Sequence, residues 1–304
     1  MKEAIHVEKN LIIFNAQAGK SDNNEIAKKA KAVLERHGQT AVLKATDSES
    51  DAIHAAATAT DQYDRLITIG GDGSINTACA GFLQAGKAIP LGIIPGGTVN
   101  NFARALKIPL NVDQAIDNLV SGMPKLVDLA TVGDQPMVGD QPMVSSLTLG
   151  KLADISRDVK QSEKRRFGPI IYLFKGVKAL FKDRSYKLRI TANGKTRVLK
   201  AQILLITTTN SVGGNVAFNP DATYDDDLLH VFILKRFTLP KIITYGTFFL
   251  TGNLKRARGV IYLKCREIRI ENLSTQKVET RIDGDPAMKL PITVKVKPNF
   301  LETV

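Results

Sequence analysis

Apolar and polar residues follow two alternating periods over the first 128 residues of the chain. Short apolar runs, typical of buried strands, occupy 11–14, 40–46, 65–70 and 89–95. Between and after them, apolar residues recur at helical spacing over 24–38, 48–60, 75–86, 99–106 and 112–122. Strands that alternate with helices predict a doubly wound α/β domain built on a parallel sheet.

The pattern changes after residue 128. Asn193-Gly194 joins two strand-like runs, which is the strongest short signal for a β-hairpin. Further strand-like runs lie at 228–235, 259–271, 277–283 and 291–297. We therefore predict two domains, 1–128 and a mainly antiparallel β domain at 129–304, and expect the last ~10–15 residues to pack back on the first domain.

Charge divides in the same way. Residues 1–128 hold 13 Lys and Arg against 14 Asp and Glu, a net charge of −1, whereas residues 129–304 hold 29 against 16, a net charge of +13. This asymmetry favours an anionic partner for the second domain, either a membrane, a nucleic acid or a phosphate, over a general solubility role. No recognised nucleic-acid motif accompanies the charge, so we expect no nucleic-acid partner.

Composition predicts an ordinary globular protein, because 43% of residues are hydrophobic and 24% are charged. The first residues carry no apolar stretch of the kind found in secretory signals, and no run is long enough to span a bilayer. Cys79 and Cys265 lie far apart without metal-ligand spacing, which favours two free thiols in a reducing compartment. We expect a cytoplasmic protein.

The turn Gly70-Gly71-Asp72-Gly73 follows a predicted strand and opens a helix. Backbone N–H groups and the helix dipole favour an anion at such a junction. Because a carboxylate repels phosphate, Asp72 indicates a Mg²⁺ ion between the two. The alternative is a tight strand–helix turn without a ligand.

Two better-known phosphate motifs do not fit. The dinucleotide fingerprint fails because Asn76 stands at the third glycine position, and the P-loop fails because Phe14 stands at the first. The residues 15–19 and 95–104 instead form two further loops after strands. Loops that could bind a ligand therefore follow three of the strands, at the sheet edge where α/β proteins bind ligands.

The second half offers two groups of carboxylates. If the backbone of 281–286 is extended, Asp283 and Asp285 lie on one face, where one raised pKa makes a better base; the alternative is an Asp-Gly turn ending a strand. The aspartates at 225–227 suit a hard cation or a solvated loop. The four histidines are scattered, and we interpret them as surface or satisfied structural residues.

Residues 160–187 are strongly basic and amphipathic. Ile170, Phe174, Val177 and Phe181 recur at helical spacing with lysines between them. Such a segment can lie on an anionic bilayer, or it can pack on the core with a solvated basic face. The run at 254–259 adds further positive charge.

The motifs Asn15-Ala16-Gln17-Ala18-Gly19, GGDGS at 70–74, PGGTVNNFAR at 95–104 and DGD at 283–285 occur in the order typical of one family. On these motifs the chain resembles the diacylglycerol kinase catalytic family, and most of all the soluble bacterial lipid kinases. The resemblance covers nearly the whole chain. It implies a nucleotide-binding α/β domain, a β-sandwich domain for the lipid substrate, and an active site in the cleft between them.

The resemblance also implies roles for individual residues. For catalysis it implies Asp72 as an organiser of Mg²⁺-ATP, Asp128 as an acid near the cleft, and Asp285 as the general base beside Asp283. For a structural Mg²⁺ it implies the side chain of Asp226 and the backbone of Thr223 and Leu228. The residues that it places against ATP are Asn15, Gly19, Thr46, Gly70, Gly71, Asp72, Gly73, Ser74 and Thr98.

The sequence departs from the family pattern at several of these positions. Ala16 and Ala18 replace Pro and Ser of the first loop, and Ser74 replaces Thr but keeps a hydroxyl. Asn101 stands where many members have Asp, and Asp285 replaces the usual Glu. Asp227 replaces a glycine of the acidic stretch.

We therefore expect a lipid kinase that uses ATP and Mg²⁺ to phosphorylate a lipid hydroxyl, turning diacylglycerol into phosphatidic acid. We expect it to work on the inner face of an anionic membrane as a peripheral protein, and the sequence leaves its oligomeric state open, a homodimer included. One alternative is an enzyme similar to NAD kinases. The other is a catalytically degenerate protein that binds lipid at a membrane surface.

Overall fold

The computed structural model describes residues 7–16, 22–133, 139–150, 185–235 and 239–304. The chain forms two compact units. Unit 1 comprises Met1–Leu129 and Lys297–Val304, and unit 2 comprises Ala130–Val296. Most of the predicted amphipathic segment and Gly19 lie outside the described residues.

Unit 1 is an α/β unit with a parallel sheet. Its four parallel strands, in the spatial order β2-β1-β3-β4, are β1 (Lys9–Phe14), β2 (Thr40–Ala45), β3 (Arg65–Gly70) and β4 (Leu91–Pro95). Its helices are α1 (Asn23–Arg36), α2 (Glu49–Gln62), α3 (Asp72–Ala85), α4 (Asn101–Ala105) and α5 (Val112–Ser121). Strands β3 and β4 are buried along nearly their whole length, as parallel strands covered on both faces are.

Local signals explain the unit 1 helices. Asp22 caps α1 by accepting hydrogen bonds from the N–H groups of Asn24 and Glu25, and Gly86 ends α3 in the left-handed conformation. The apolar face of α1 packs with α5 on the sheet, where Leu34 and Ile116 are buried. Helix propensity and core burial thus agree, as they do in sequences that specify one fold.

Unit 2 is an antiparallel β sandwich. One sheet has the order β12-β11-β10-β7-β14-β15, and β13, β8 and β9 follow one another in the second. Strands β5 (Lys125–Gly133) and β16 (Ile292–Thr303) each belong partly to unit 1 and partly to unit 2. The other strands of unit 2 are β6 (Gln141–Met143), β7 (Ser146–Gly150), β8 (Tyr186–Ala192), β9 (Lys195–Ala201), β10 (Ile203–Thr207), β11 (Leu229–Leu234), β12 (Val260–Cys265), β13 (Glu267–Asn272), β14 (Thr280–Ile282) and β15 (Asp285–Pro286). Between the sheets lies one apolar core, which includes Ile206, Val231 and Ile270. A second cluster, with Phe218 and Phe232, covers the other face of the six-stranded sheet beside α6 (Leu239–Leu250).

The predicted fold class, an α/β domain followed by an antiparallel β sandwich, is confirmed. The hairpin at Asn193-Gly194 is confirmed as well, because it joins β8 to β9 and both residues have positive φ angles of 51° and 70°. The run predicted as one strand at 259–271 forms β12 and β13, which lie in different sheets. The residues that face the core are 261, 263 and 265 before Arg266, and 268 and 270 after it. Because alternate residues of a strand point to opposite faces, a single strand could not direct both sets at the same core.

Strand β16 is longer than predicted and contributes to both units. Its first residues pair antiparallel with β13, Lys295 opposite Glu267. Its end pairs in parallel with β4, Thr303 opposite Leu91. The last eight residues, Lys297–Val304, therefore complete unit 1.

Candidate functional site

Helix α3 begins at Asp72, directly after Gly71, and not near residue 75 as the pattern predicts. Asp72, Gly73 and Ser74 are therefore the first turn of the helix. The first N–H groups of a helix have no partner within it and carry the positive end of its dipole. Here the N–H of Ser74 donates to the carbonyl of Gly71 at 3.0 Å, which leaves the N–H groups of Asp72 and Gly73 for a ligand. This turn is suited to bind an anion.

The glycines of the two loops pack backbone against backbone. The N–H of Gly96 donates to the carbonyl of Gly70 at 2.7 Å. A Cβ atom on Gly97 would lie 2.6 Å from the Cα atom of Gly71. Gly71 and Gly97 are therefore needed for the loops to approach each other, a purpose that the sequence analysis did not foresee.

Asp72 connects these loops to helix α4. Its Oδ2 accepts the N–H of Asn101 at 2.9 Å, and its Oδ1 accepts the N–H of Phe102 at 3.0 Å. Because a carboxylate has about four acceptor positions, these two bonds leave others that can face a cation or its water. The half-buried Asp72 therefore fits a role beside Mg²⁺, and it also fixes the start of α4.

The sequence analysis missed Asn100. This buried residue has a φ angle of 54°, accepts the N–H of Gly97 at 3.0 Å and donates to the carbonyl of Gly97 at 2.9 Å. It therefore closes the second glycine loop on itself. The preference of asparagine for the left-handed conformation could have identified it.

Two other predicted nucleotide residues lie at the ends of neighbouring strands. The buried Thr46 follows β2, and its N–H donates to the carbonyl of Phe14 in β1 at 2.9 Å. The carbonyl of Asn15 accepts a hydrogen bond from the side chain of Asn23 at 2.7 Å. Since β1 to β4 are parallel neighbours, Asn15, Thr46, the first glycine turn and the exposed Thr98 follow strands at one edge of the sheet.

Asp128 is buried in β5, where its Oδ1 accepts the N–H of Asn299 at 2.9 Å. The contact fastens the end of β16 within unit 1. This is a positioning contact, and the catalytic role of Asp128 stays a prediction.

In unit 2, the backbone around Asp283 and Asp285 forms the Asp-Gly turn that the sequence left as the alternative, and the condition of an extended backbone is not met. Asp283 and Gly284 have φ angles of 51° and 101° and form the two-residue turn of the β14–β15 hairpin, with Ile282 opposite Asp285. Asp-Gly favours this kind of turn because both of its residues need positive φ. The argument that the two carboxylates share a face, and raise one pKa, does not hold in this geometry.

The carboxylate of Asp283 instead holds a distant segment of backbone. Its Oδ1 accepts the N–H groups of Ser145 and Ser146, each at 2.8 Å, and its Oδ2 accepts the N–H of Val144 at 3.0 Å. These bonds fix the hairpin to the first residue of β7 and the two residues before it. The geometry gives Asp283 a positioning role.

Asp285 lies on this fixed hairpin and is exposed, whereas Asp283 is half-buried. Within the described residues its carboxylate makes no hydrogen bond or ion pair. An exposed carboxylate on a well-fixed turn is available to accept a proton, so the geometry is compatible with the predicted base.

Asp226 is surrounded by hydrogen-bond donors. Its Oδ1 accepts the N–H of Leu228 at 3.0 Å, and the N–H of Thr223 lies 3.4 Å from its Oδ2. His230 is fully buried, and its Nε2 lies 2.7 Å from the same Oδ2. Nδ1 of His230 lies 2.9 Å from the side-chain nitrogen of Asn219 and 2.7 Å from the hydroxyl of Tyr262, and these partners fit the tautomer in which Nε2 donates to Asp226.

These contacts fit a carboxylate acceptor better than a cation ligand, which would face carbonyl oxygens. Among the residues that the structure describes, no group of three His, Cys, Asp or Glu side chains could hold a metal ion. The metal role of Asp226 stays a prediction. His230 is a satisfied structural residue, consistent with its interpretation from the sequence.

Comparisons with known proteins match both units. Residues 9–132 match the family model described as the diacylglycerol kinase catalytic domain, and residues 145–304 match the YegS C-terminal NAD kinase beta sandwich-like domain. The chain is 32% identical over 286 residues to a protein of Bacillus subtilis named diacylglycerol kinase, covering 92% of this chain and 90% of that one. A protein of the same name from Staphylococcus epidermidis is 30% identical over 281 residues, covering 92% and 86%.

Solved structures support the same fold. A crystal structure described as a putative diacylglycerol kinase from Bacillus anthracis has a TM-score of 0.80 at 23% identity and covers 98% of this chain and 97% of that one. Another from the same organism has a TM-score of 0.79 at 22% identity. In the part of the chain that the structure covers, no helix has both the length and the apolar character needed to cross a bilayer.

Proposed function

The chain belongs to the diacylglycerol kinase family and is a lipid kinase, and on that premise we propose that it transfers the γ-phosphate of ATP to the hydroxyl of diacylglycerol with the help of Mg²⁺. The names of its curated relatives support this acceptor. An NAD kinase activity has weaker support, because only the β-sandwich model mentions that enzyme.

The observation that carries the nucleotide side of the proposal is the double contact of Asp72 with the start of α4. This contact and the packed glycine loops hold the first turn of α3 in place. The N–H groups of Asp72 and Gly73 and the hydroxyl of Ser74 then bind the triphosphate oxygens. Asn15, Gly19, Thr46 and Thr98 bind the rest of the nucleotide in this proposal.

Phosphoryl transfer depends mainly on positioning and on neutralising charge. When bound, Mg²⁺ supplies positive charge against the β- and γ-phosphate oxygens, and Asp72 is the residue that would hold it. Asp72 keeps its own orientation through the N–H groups of Asn101 and Phe102.

Asp285 acts on the acceptor in this proposal. Its carboxylate takes the proton of the lipid hydroxyl as the new oxygen–phosphorus bond forms and the bond between the γ-phosphorus and the bridging oxygen breaks, which releases ADP. Asp283 holds the hairpin that carries it, through three backbone N–H groups. The base therefore keeps a fixed position, which a loose transition state needs more than a strong base.

We further propose that the protein works on anionic membranes as a peripheral protein. The net charge of +13 over residues 129–304 supports this, because basic surfaces are attracted to anionic lipid. Raising the salt concentration should then lower activity on anionic vesicles, since salt screens such attraction.

The test is transfer of labelled γ-phosphate by the purified chain. The acceptors are diacylglycerol, phosphatidylglycerol and a sphingoid base, each in mixed vesicles, and NAD in solution. We expect labelled phosphatidic acid, and loss of labelling when Mg²⁺ is chelated. Labelling of NAD alone would replace the lipid proposal, and labelling of another lipid would replace diacylglycerol. No transfer to any acceptor would favour the catalytically degenerate lipid-binding alternative.

A further inference from the structure

A pocket of about 270 Å³ lies in unit 2 between the β8–β9 hairpin and strands β11 and β12. Ile190 and Ile233 are buried at its floor, and Leu199, Ile261 and Leu263 form half-buried walls. Its volume is close to the lower end of small-molecule sites, about 300 Å³. The pocket can therefore hold a short apolar chain.

The pocket exists because two edge strands meet there without pairing. In the described chain β9 pairs only with β8, and β12 pairs only with β11. The side chain of Asn193 donates to the carbonyl of Lys264 at 2.7 Å and thereby fastens the hairpin tip to β12. Beyond this contact the apolar walls remain partly exposed.

Two cations, Lys195 and Arg197, stand at the mouth of this apolar space. They alternate with Leu199 on the same face of β9, and both are exposed. The nine residues that line the pocket include no carboxylate. Among the described residues neither cation forms an ion pair, whereas the exposed Arg189 is paired with Glu271 at 2.7 Å.

From this arrangement we propose that the pocket binds an anionic membrane lipid, with part of one acyl chain between Leu199 and Leu263 and the anionic head group against Arg197 and Lys195. Apolar burial accounts for the chain, and charge-assisted hydrogen bonds account for the head group. A neutral lipid would gain the apolar burial but not the charge-assisted hydrogen bonds.

This lipid is separate from the phosphate acceptor. The pocket lies at β11 and β12, and the hairpin with Asp285 lies at β14 and β15, the other end of the six-stranded sheet. At about 4.8 Å per strand, the two are roughly 15–20 Å apart. The proposal does not depend on the kinase reaction, and binding is measured without nucleotide.

The test uses decyl phosphate as the probe, below its micellar concentration, with decyl glucoside as the uncharged control. Titration calorimetry measures affinity, and methyl NMR of the isoleucines locates the probe. We expect Arg197→Glu to weaken decyl phosphate binding by about tenfold or more, since it replaces an attraction with a repulsion. Lys200→Glu is the matched control, because Lys200 is exposed on the same strand and does not line the pocket; it should change affinity less than about twofold.

A second variant tests the apolar part. Ala192 lines the pocket, and Ala192→Leu should fill it and weaken binding while both cations remain. Unfolding midpoints of all variants check that the sandwich is intact. If Arg197 only protects an edge strand from aggregation, R197E and K200E should bind decyl phosphate equally well. Equal binding by these two variants would overturn the proposal. So would an affinity for decyl glucoside equal to that for decyl phosphate, or methyl shifts confined to isoleucines outside the pocket.

Discussion

Two aspartates next to glycines, Asp72 after Gly71 in unit 1 and Asp283 before Gly284 in unit 2, hold backbone in similar ways. Asp72 accepts two N–H groups from residues 29 and 30 positions away, and Asp283 accepts three from residues 137 to 139 positions away. Each carboxylate thereby fixes a segment of backbone that is distant from it in the sequence.

The two carboxylates differ in how many acceptor positions their bonds to backbone N–H groups leave for other partners. Asp72 receives one N–H on each oxygen, so both oxygens keep an acceptor position for a cation. Asp283 receives three donors, and its neighbour Asp285 carries the exposed carboxylate. In the DGD motif one aspartate holds distant backbone and the other carries the exposed carboxylate. In GGDG the single Asp72 holds backbone and also keeps acceptor positions for a cation.

The largest effect is expected at Asp72. Asp72→Asn keeps one acceptor oxygen for the α4 backbone but removes the charge that faces the proposed Mg²⁺. We expect kcat/KM for ATP to fall about 1,000-fold, or about 4 kcal/mol in transition-state stabilisation. Steady-state kinetics against ATP and Mg²⁺ concentration measure it. If this variant keeps more than a tenth of the activity, Asp72 is a positioning residue like Asp283.

The two cysteines provide the control for folding. Cys79 lies in α3 of unit 1 and Cys265 ends β12 of unit 2, and both are buried. Burial, with a smaller contribution from Glu267, raises the pKa of Cys265 to about 12. Unfolding of unit 2 therefore increases its thiolate fraction at pH 8 by roughly a thousandfold, so the rate of alkylation reports on that unit.

A somewhat smaller effect is expected at Asp283, and on stability. Asp283→Ala leaves three N–H groups without their acceptor, which costs about 3 kcal/mol of the free energy of unfolding. Urea denaturation measures this cost, and alkylation of Cys265 should accelerate roughly 100-fold. Alkylation of Cys79 should not change. Equal acceleration at both thiols would mean that the two units unfold together, and no acceleration at either would contradict the positioning role.

The smallest effect is expected at Asp285. Asp285→Asn removes the proposed base, and kcat should fall about 100-fold while the unfolding midpoint stays the same. Asp285→Glu keeps a carboxylate one methylene farther out and should remain within about tenfold of the parent. Lipid phosphorylation at saturating ATP measures both. A D285N variant with parental kcat would assign proton transfer to another group.

The sequence predicts the unit 1 strands closely because their signals are local. The run at 65–70 corresponds to β3 without any shift, and Asn193-Gly194 forms the expected hairpin. Boundaries that depend on more distant contacts fail, as at the start of α3, where Asp72 is also bound to α4. Propensity alone cannot report a partner about 30 residues away.

The candidate site was predictable to a similar degree. That Asp72, Thr46 and Thr98 follow strands at one sheet edge is a consequence of alternating β and α segments. The three N–H groups on Asp283 and the imidazole on Asp226 were not predictable, because tertiary structure brings them there. The roles of these residues in phosphate transfer stay predictions.

The pairing of β16 with β4 has a consequence for biosynthesis. The chain inserts all of unit 2, Ala130–Val296, between the two segments of unit 1. A ribosome must therefore produce the sandwich before the contacts of Asn299 with Asp128 and of Thr303 with Leu91 can form. Closing a loop of this length in an unfolded chain costs about 4–5 kcal/mol of entropy, so early folding of the sandwich would shorten the search for the final strand position.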